Sequence, residues 1–235
     1  MNKLLTTLFA LGVACATGIA SAQAPAAAQA GASAAQAPAA AAAPAGAKSI
    51  EAKVAMCLGC HSIPGYQASF PEVHHVPMIS GQGAKYIAAA LTAYKNGDRK
   101  HPTMRGIAAS LSDQDINDVA AYYSAQGKPG NDKLSREPSG AAAQLFQKGN
   151  CVSCHGANLS KPIDPSYPKI AGQHADYLFV ALKQYKAENN AVVGRSNGVM
   201  GAIAKQFSND ELKALAKYVG SLDGELTVHP EPRFR

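Results

Sequence analysis

Two short runs hold the residues best suited to chemistry: Cys57-Leu58-Gly59-Cys60-His61 and Cys151-Val152-Ser153-Cys154-His155. Two cysteines separated by two residues and followed at once by histidine form the attachment signature of c-type haem. The thiols add to the two vinyl groups, and the adjacent imidazole reaches the iron from beneath the ring. Zinc and a disulfide are the competing chemistries. A structural zinc site needs four ligands, usually drawn as two pairs, and no other cysteine lies near either run. A disulfide would leave the following histidine unexplained twice over. The residues therefore predict four thioether cysteines, Cys57, Cys60, Cys151 and Cys154, two iron-binding histidines, His61 and His155, and two covalently bound haem c groups.

The sixth ligand decides what such an iron can do, and methionine or a second histidine are the candidates. Met1 belongs to the leader, Met56 adjoins Cys57 on the wrong side of the ring, and Met78 is matched by Lys169 in the second copy. Met104 and Met200 remain, 43 and 45 residues beyond their histidines, and are assigned as axial ligands in a loop before each copy's last helix. His74 and His75 fall in an insertion of the first copy, and His101, His174 and His229 have no counterparts; all five read as surface residues. His101, three residues before Met104, is the one placed to displace it. Pro77 and Pro168 have two readings: a rigid carbonyl that takes the other N–H of the axial imidazole, or a plain turn.

The elements that position these residues are duplicated. Pro77-Met78-Ile79-Ser80-Gly81-Gln82 matches Pro168-Lys169-Ile170-Ala171-Gly172-Gln173 at an offset of 91. Leu91-x-x-Tyr94-Lys95 matches Leu182-x-x-Tyr185-Lys186 at the same offset, and Met104-x-x-Ile107-Ala108 matches Met200-x-x-Ile203-Ala204 at 96. Both copies read as helical. Ser112-x-x-Asp115 and Ser208-x-x-Glu211 form capping boxes ahead of apolar stripes. Residues 83–95 and 173–187 are further helices, and short helices lead into the cysteine motifs around 49–56 and 141–148. The spacing thus predicts three helices around one haem per copy, with domains at 48–126 and 141–225, a Gly/Pro-rich linker at 127–140 and a tail at 226–235. Domains this small have thin cores and need a staple, which the covalent haem supplies.

Residues 1–22 read as a secretory signal peptide: Lys3, an apolar run, then Ala20-Ser21-Ala22 as the cleavage site. A lipoprotein reading would acylate Cys15, but Gly12-Val13-Ala14-Cys15 lacks the leucine expected three positions earlier. Residues 23–47, almost all Ala, Pro, Gln and Gly, form a flexible tether. Export to the periplasm follows, and peripheral membrane association is compatible with it. The formal charge is +6; loss of Lys3 and four haem propionates bring the ferrous form to about +1 and the ferric form to about +3, which is weak global steering. Lys85, Lys95, Arg99, Lys100 and Arg105 are the candidates for a local basic patch. Nucleic acid is not expected as a partner.

The repeated Cys-x-x-Cys-His, Pro-x-Ile-x-Gly-Gln, Met-x-x-Ile-Ala and final-helix signature, over residues 48 to 225, resembles the dihaem cytochrome c4 family. The resemblance implies an all-α chain of two tandem class I cytochrome c-like domains, each wrapped around one covalent haem and related by a pseudo-twofold axis. It implies His61 with Met104 and His155 with Met200 as axial pairs. It also implies an electron-transfer protein rather than an enzyme, passing one electron per haem to a terminal oxidase from a quinol-oxidising complex or another cytochrome, with no small-molecule substrate. Two alternatives stand beside this: a dedicated cytochrome subunit of a periplasmic dehydrogenase, and a dihaem peroxidase, which would need one open iron.

Overall fold

Serine caps, apolar stripes and glycine stops recur along the chain and divide it into short helices. The structure, a computed structural model, describes residues 48–231. The expected signal peptide with Cys15, the tether and the last four residues lie outside them.

In the first repeat α1 (Ile50–His61) starts where the Ser49 side chain accepts from Ala52 N, with Glu51 complementing the helix dipole. Its last turn is the first cysteine motif. Cys57, Cys60 and His61 stand at i, i+3 and i+4, so one helix face presents all three. A hairpin of β1 (Gln67–Ala68) and β2 (His74–His75) follows. Next come α2 (Ala84–Asn96), closed by left-handed Gly97, then β3 (Arg99–Lys100), α3 (Pro102–Ala109) and α4 (Asp113–Ser124). In the second repeat the lead-in helix is broken. Helix α5 (Ala141–Gly149) ends at Asn150, held left-handed at φ 45°, and α6 (Val152–His155) restarts to carry the motif. Then follow α7 (Ala175–Gln184), β4 (Gly194–Arg195), α8 (Gly198–Lys205) and α9 (Asn209–Gly220). Both capping boxes expected from the sequence are formed, Ser112 with Asp115 and Ser208 with Glu211.

The expectation of three helices per repeat is corrected: among the described residues the first repeat has four and the second five. The extra ones are α6 and the methionine segments, which are helical rather than loops. Pro102 sits at the first turn of α3, where its missing N–H costs nothing. His101 and Asn197 cap α3 and α8 by accepting from the N–H of Met104 (3.3 Å) and Met200 (2.9 Å).

Each repeat has its own apolar core. Leu58, Leu91, Val119 and Tyr123 knit α1, α2 and α4; Phe146, Leu178, Leu215 and Val219 do the same for α5, α7 and α9. Lys53 ties α1 to α4 through Asp115 (3.1 Å) and Asp118. The repeated Tyr-Lys pairs have a specific use: Lys95 Nζ donates to Leu111 O (2.9 Å) and Lys186 Nζ to Phe207 O (2.7 Å), fixing the turn before each last helix. The glycine of each Gly-Gln pair is required by close approach. Gly81 has φ 86°, and a Cβ there would stand 2.6 Å from both Glu225 O and Gly127 Cα.

The repeats meet through main chain as well as side chains. β3 pairs antiparallel with β4, Arg99 opposite Arg195. Beyond α9 the chain returns to the first repeat, where Thr227 N donates to Ser80 O and Glu225 O accepts from Lys128 N (both 3.1 Å). The segment 127–140 contains no helix or strand, and Tyr218 Oη anchors it by donating to Arg136 O (2.9 Å). No helix among the described residues is long and apolar enough to cross a membrane.

Candidate metal centres

His61 closes α1 and His155 closes α6, so in each repeat the ring is aimed by the same helix that spaces the cysteines. His61 Nδ1 lies 2.8 Å from Pro77 O, and His155 Nδ1 lies 2.8 Å from Pro168 O. A carbonyl can only accept, so Nδ1 carries the proton and Nε2 keeps its lone pair for a metal. Of the two readings of these prolines the structure selects the carbonyl. Burial lowers the pKa of both rings and keeps them neutral, the form an iron ligand needs.

The four motif cysteines are unpaired, which removes the disulfide reading. Among the described residues no cluster of three or more His, Cys, Asp or Glu is arranged to hold a metal ion. Met104 and Met200 stand in the first turns of α3 and α8, and the cap contacts fix the backbone from which each side chain projects. One continuous cavity of about 730 Å³ is lined by all eight residues singled out from the sequence: Cys57, Cys60, His61 and Met104, with Cys151, Cys154, His155 and Met200.

The cytochrome c family model matches residues 43–125 and again 140–223. The cytochrome c4 of Stutzerimonas stutzeri is 31% identical over 73% of this chain and 87% of its own. The chain belongs to the cytochrome c4 family. A thiosulfate dehydrogenase electron acceptor of Stutzerimonas stutzeri strain A1501 is 31% identical over 71% of this chain and 78% of its own. The solved structure of Acidithiobacillus ferrooxidans cytochrome c4 superposes with a TM-score of 0.55 at 27% identity, covering 72% of this chain and 99% of that one. As a member of the cytochrome c4 family the chain is a dihaem electron carrier with tandem cytochrome c domains, and its two haems attach at the Cys-x-x-Cys motifs 57/60 and 151/154.

The interior between the repeats fits two such groups on independent grounds. Arg99 and Arg195 are each only 9% exposed. Their hydrogen-bond partners are phenols and an amide. Arg99 donates to Tyr86 Oη (3.3 Å) and Tyr177 Oη (2.7 Å); Arg195 donates to Gln184 Oε1 (2.8 Å) and Tyr177 Oη (3.3 Å). The buried Nε of Arg99 has no hydrogen-bond partner. Two adjacent buried guanidiniums with no carboxylate at either one are costly, and their field is visible at Tyr177. Burial alone would raise this phenol, but Arg195 and Arg99 outweigh it and hold it down at about 8. Haem propionates are anions of the kind this donor set lacks, and both arginines border the cavity.

Several sequence expectations are corrected by these contacts. Arg99 is buried, so it is no part of a basic surface patch, and Lys95 and Lys100 bind the carbonyls of Leu111 and Asn190. Of the five candidates only Lys85 and Arg105 are exposed. His74 is not a surface residue: it is 5% exposed, bonded to Glu72 O and stacked on Tyr177. His75 bonds Asp176 through its backbone N–H (3.0 Å) and Nδ1 (2.7 Å) and stacks on half-buried His174. The first-repeat insertion therefore docks onto α7. His101 is half-buried, and its Nδ1 is engaged as the cap of α3; its counterpart at the 96-residue offset is Asn197.

Sequence reasoning did not find the roles of Arg99, Arg195, Gln82 and Gln173. The signal was present, since the arginines repeat at the offset of the methionines and the glutamines at that of the prolines. The partners of Gln82 and Gln173, and Tyr177 for Arg99, lie in the opposite repeat, where comparison of each repeat with itself does not look; Arg195 is held by Gln184 and Tyr177 of its own repeat.

Proposed function

We propose that the chain is a periplasmic electron carrier in which His61 with Met104 and His155 with Met200 are the two axial pairs. The observation that carries this reading is the single cavity lined by both motifs and both methionines, with each histidine ring oriented by a proline carbonyl. The haem supplies one-electron chemistry between Fe(III) and Fe(II). The protein supplies the rest. Helix α1 and helix α6 would hold the cysteines and the imidazole in one geometry, and Met104 on α3 and Met200 on α8, which line the same cavity, would supply the thioether ligands. The apolar walls limit water and reorganisation around the iron.

A thioether opposite imidazole leaves no open position and favours the reduced state. Repeat-equivalent placement of Met104 and Met200 supports the same ligation at both irons, which argues against a peroxidase. We place the domains at 48–126 and 141–225, with residues 1–22 as export signal and 23–47 as tether, and a terminal oxidase as the acceptor. The similarity to a thiosulfate dehydrogenase electron acceptor favours one second reading, a dedicated acceptor for a periplasmic dehydrogenase.

The optical spectrum of the oxidised holoprotein tests the ligation. The weak red sulfur-to-iron band is expected at full amplitude for two haems; amplitude for one or none would leave a bis-histidine or open iron. Re-oxidation by oxidase-containing membranes, set against reduction by a purified dehydrogenase at low salt, separates the two partner readings.

A further inference from the structure

The peptide unit joining Pro77 to Met78 is engaged at both ends. Its carbonyl accepts from His61 Nδ1 (2.8 Å), and its N–H donates across the repeat boundary to Gln173 Oε1 (3.0 Å). Gln173 Nε2 donates back to Met78 O (2.9 Å). The second repeat mirrors this: His155 Nδ1 donates to Pro168 O (2.8 Å), Lys169 N to Gln82 Oε1 (2.8 Å), and Gln82 Nε2 to Lys169 O (2.9 Å). Both glutamines are buried, and each Oε1 also accepts from the next residue's own N–H, Gly83 or His174, which fixes the side-chain amide.

We propose that this is a crossed tuning device, in which Gln173 sets the histidine of the first haem and Gln82 that of the second. Each is a positioning residue acting through one peptide unit. An amide whose N–H is bonded is polarised, and its carbonyl becomes a stronger acceptor. A stronger acceptor at Nδ1 makes the imidazole a more basic ligand and favours Fe(III). The repeat that does not hold a haem thus adjusts that haem's potential, and correct docking of the two domains is a condition for both potentials. The inference rests on His61 and His155 being the axial histidines proposed above.

Potentiometric titration of the holoprotein carrying Gln173→Met, a near-isosteric change that removes both bonds, tests it. The potential of the first-repeat haem is expected to rise by about threefold in its reduction equilibrium, or ~28 mV at ~59 mV per tenfold for one electron, with the second nearly unmoved. Gln82→Met is expected to do the reverse, and either variant carries the test alone if the other does not fold. Nuclear Overhauser contacts from haem protons to Ile107 or Ile203 identify the centre that moves. A shift in the glutamine's own repeat, an equal shift of both centres, or no shift would overturn the proposal. Haem stoichiometry and the sulfur-to-iron band, recorded on the unsubstituted protein, report separately on the ligation itself.

Discussion

At the scale of single residues the site is built from short contacts that leave little choice of role. His61 and His155 each spend one nitrogen on a proline carbonyl and keep the other free, and the backbone of Met104 and Met200 is pinned by a cap. Replacing Met104 with alanine is expected to halve the sulfur-to-iron band and leave the second centre's share intact. The first potential should fall by on the order of 0.1 V, within the ~0.8 V that axial ligands span, as measured by redox titration of the holoprotein. That these eight residues would gather around one interior was legible in the sequence, because covalent attachment fixes spacing and duplication singles out the equivalent methionines. His101 was harder to judge. A histidine near a ligand invites a ligand's role, and only the bond from Met104 N to its Nδ1 shows that it caps a helix. Asn197, a far commoner cap type, occupies the same place in the other repeat and was the available clue.

At the scale of elements the last helix of each repeat was the most readable, because a capping box and an apolar stripe are local signals. Helices α3 and α8 were less so: eight residues containing Gly106 or Gly201 have weak intrinsic propensity, and packing over the cavity rather than local preference makes them helical. The α1–α4 contact carries a pH dependence. Asp115 is held down at about 2 by the Ser112 side chain first and by Lys53 next. A carboxyl depressed in the folded state contributes stability that is fully present above its unfolded value near 4 and is lost as pH falls through its folded value. Thermal unfolding of the holoprotein between about pH 4 and pH 2 should therefore steepen with acid. Asp115→Asn should lower the melting temperature at neutral pH and flatten that acid limb. The carboxyl is half-buried at the rim of the fold and still reaches solvent, so the effect at neutral pH is expected to be modest.

At the scale of the whole molecule the two repeats share one interior, and this is the part that the sequence did not disclose. Arg99 reads as one more surface cation until β3 is seen paired with β4, which sets it against Arg195 inside the fold. His74 and His75 read as an exposed insertion until α7 is seen to receive them. Both errors have one physical cause: part of what covers these residues, Tyr177 and Asp176, comes from the other repeat, which no local sequence pattern discloses. The arginine pair gives the whole-molecule prediction. Two buried positive charges on the wall of the cavity that both motifs line would act on both centres at once, through space and through any anionic group that they neutralise. Arg195→Gln keeps a polar side chain but deletes one charge, and the ferric state, which carries the additional positive charge, gains relative to the ferrous at each centre. Both potentials should fall together, by about three- to tenfold in the reduction equilibrium, or ~30–60 mV at ~59 mV per tenfold. That pattern is opposite in sign and symmetry to the single rise expected from either glutamine variant. The same potentiometric titration thus separates a charge felt by the whole interior from a hydrogen bond that reaches one ligand. If Arg195→Gln moves only the second centre, the arginines serve their own repeats, and the shared interior is a matter of packing rather than of electrostatics.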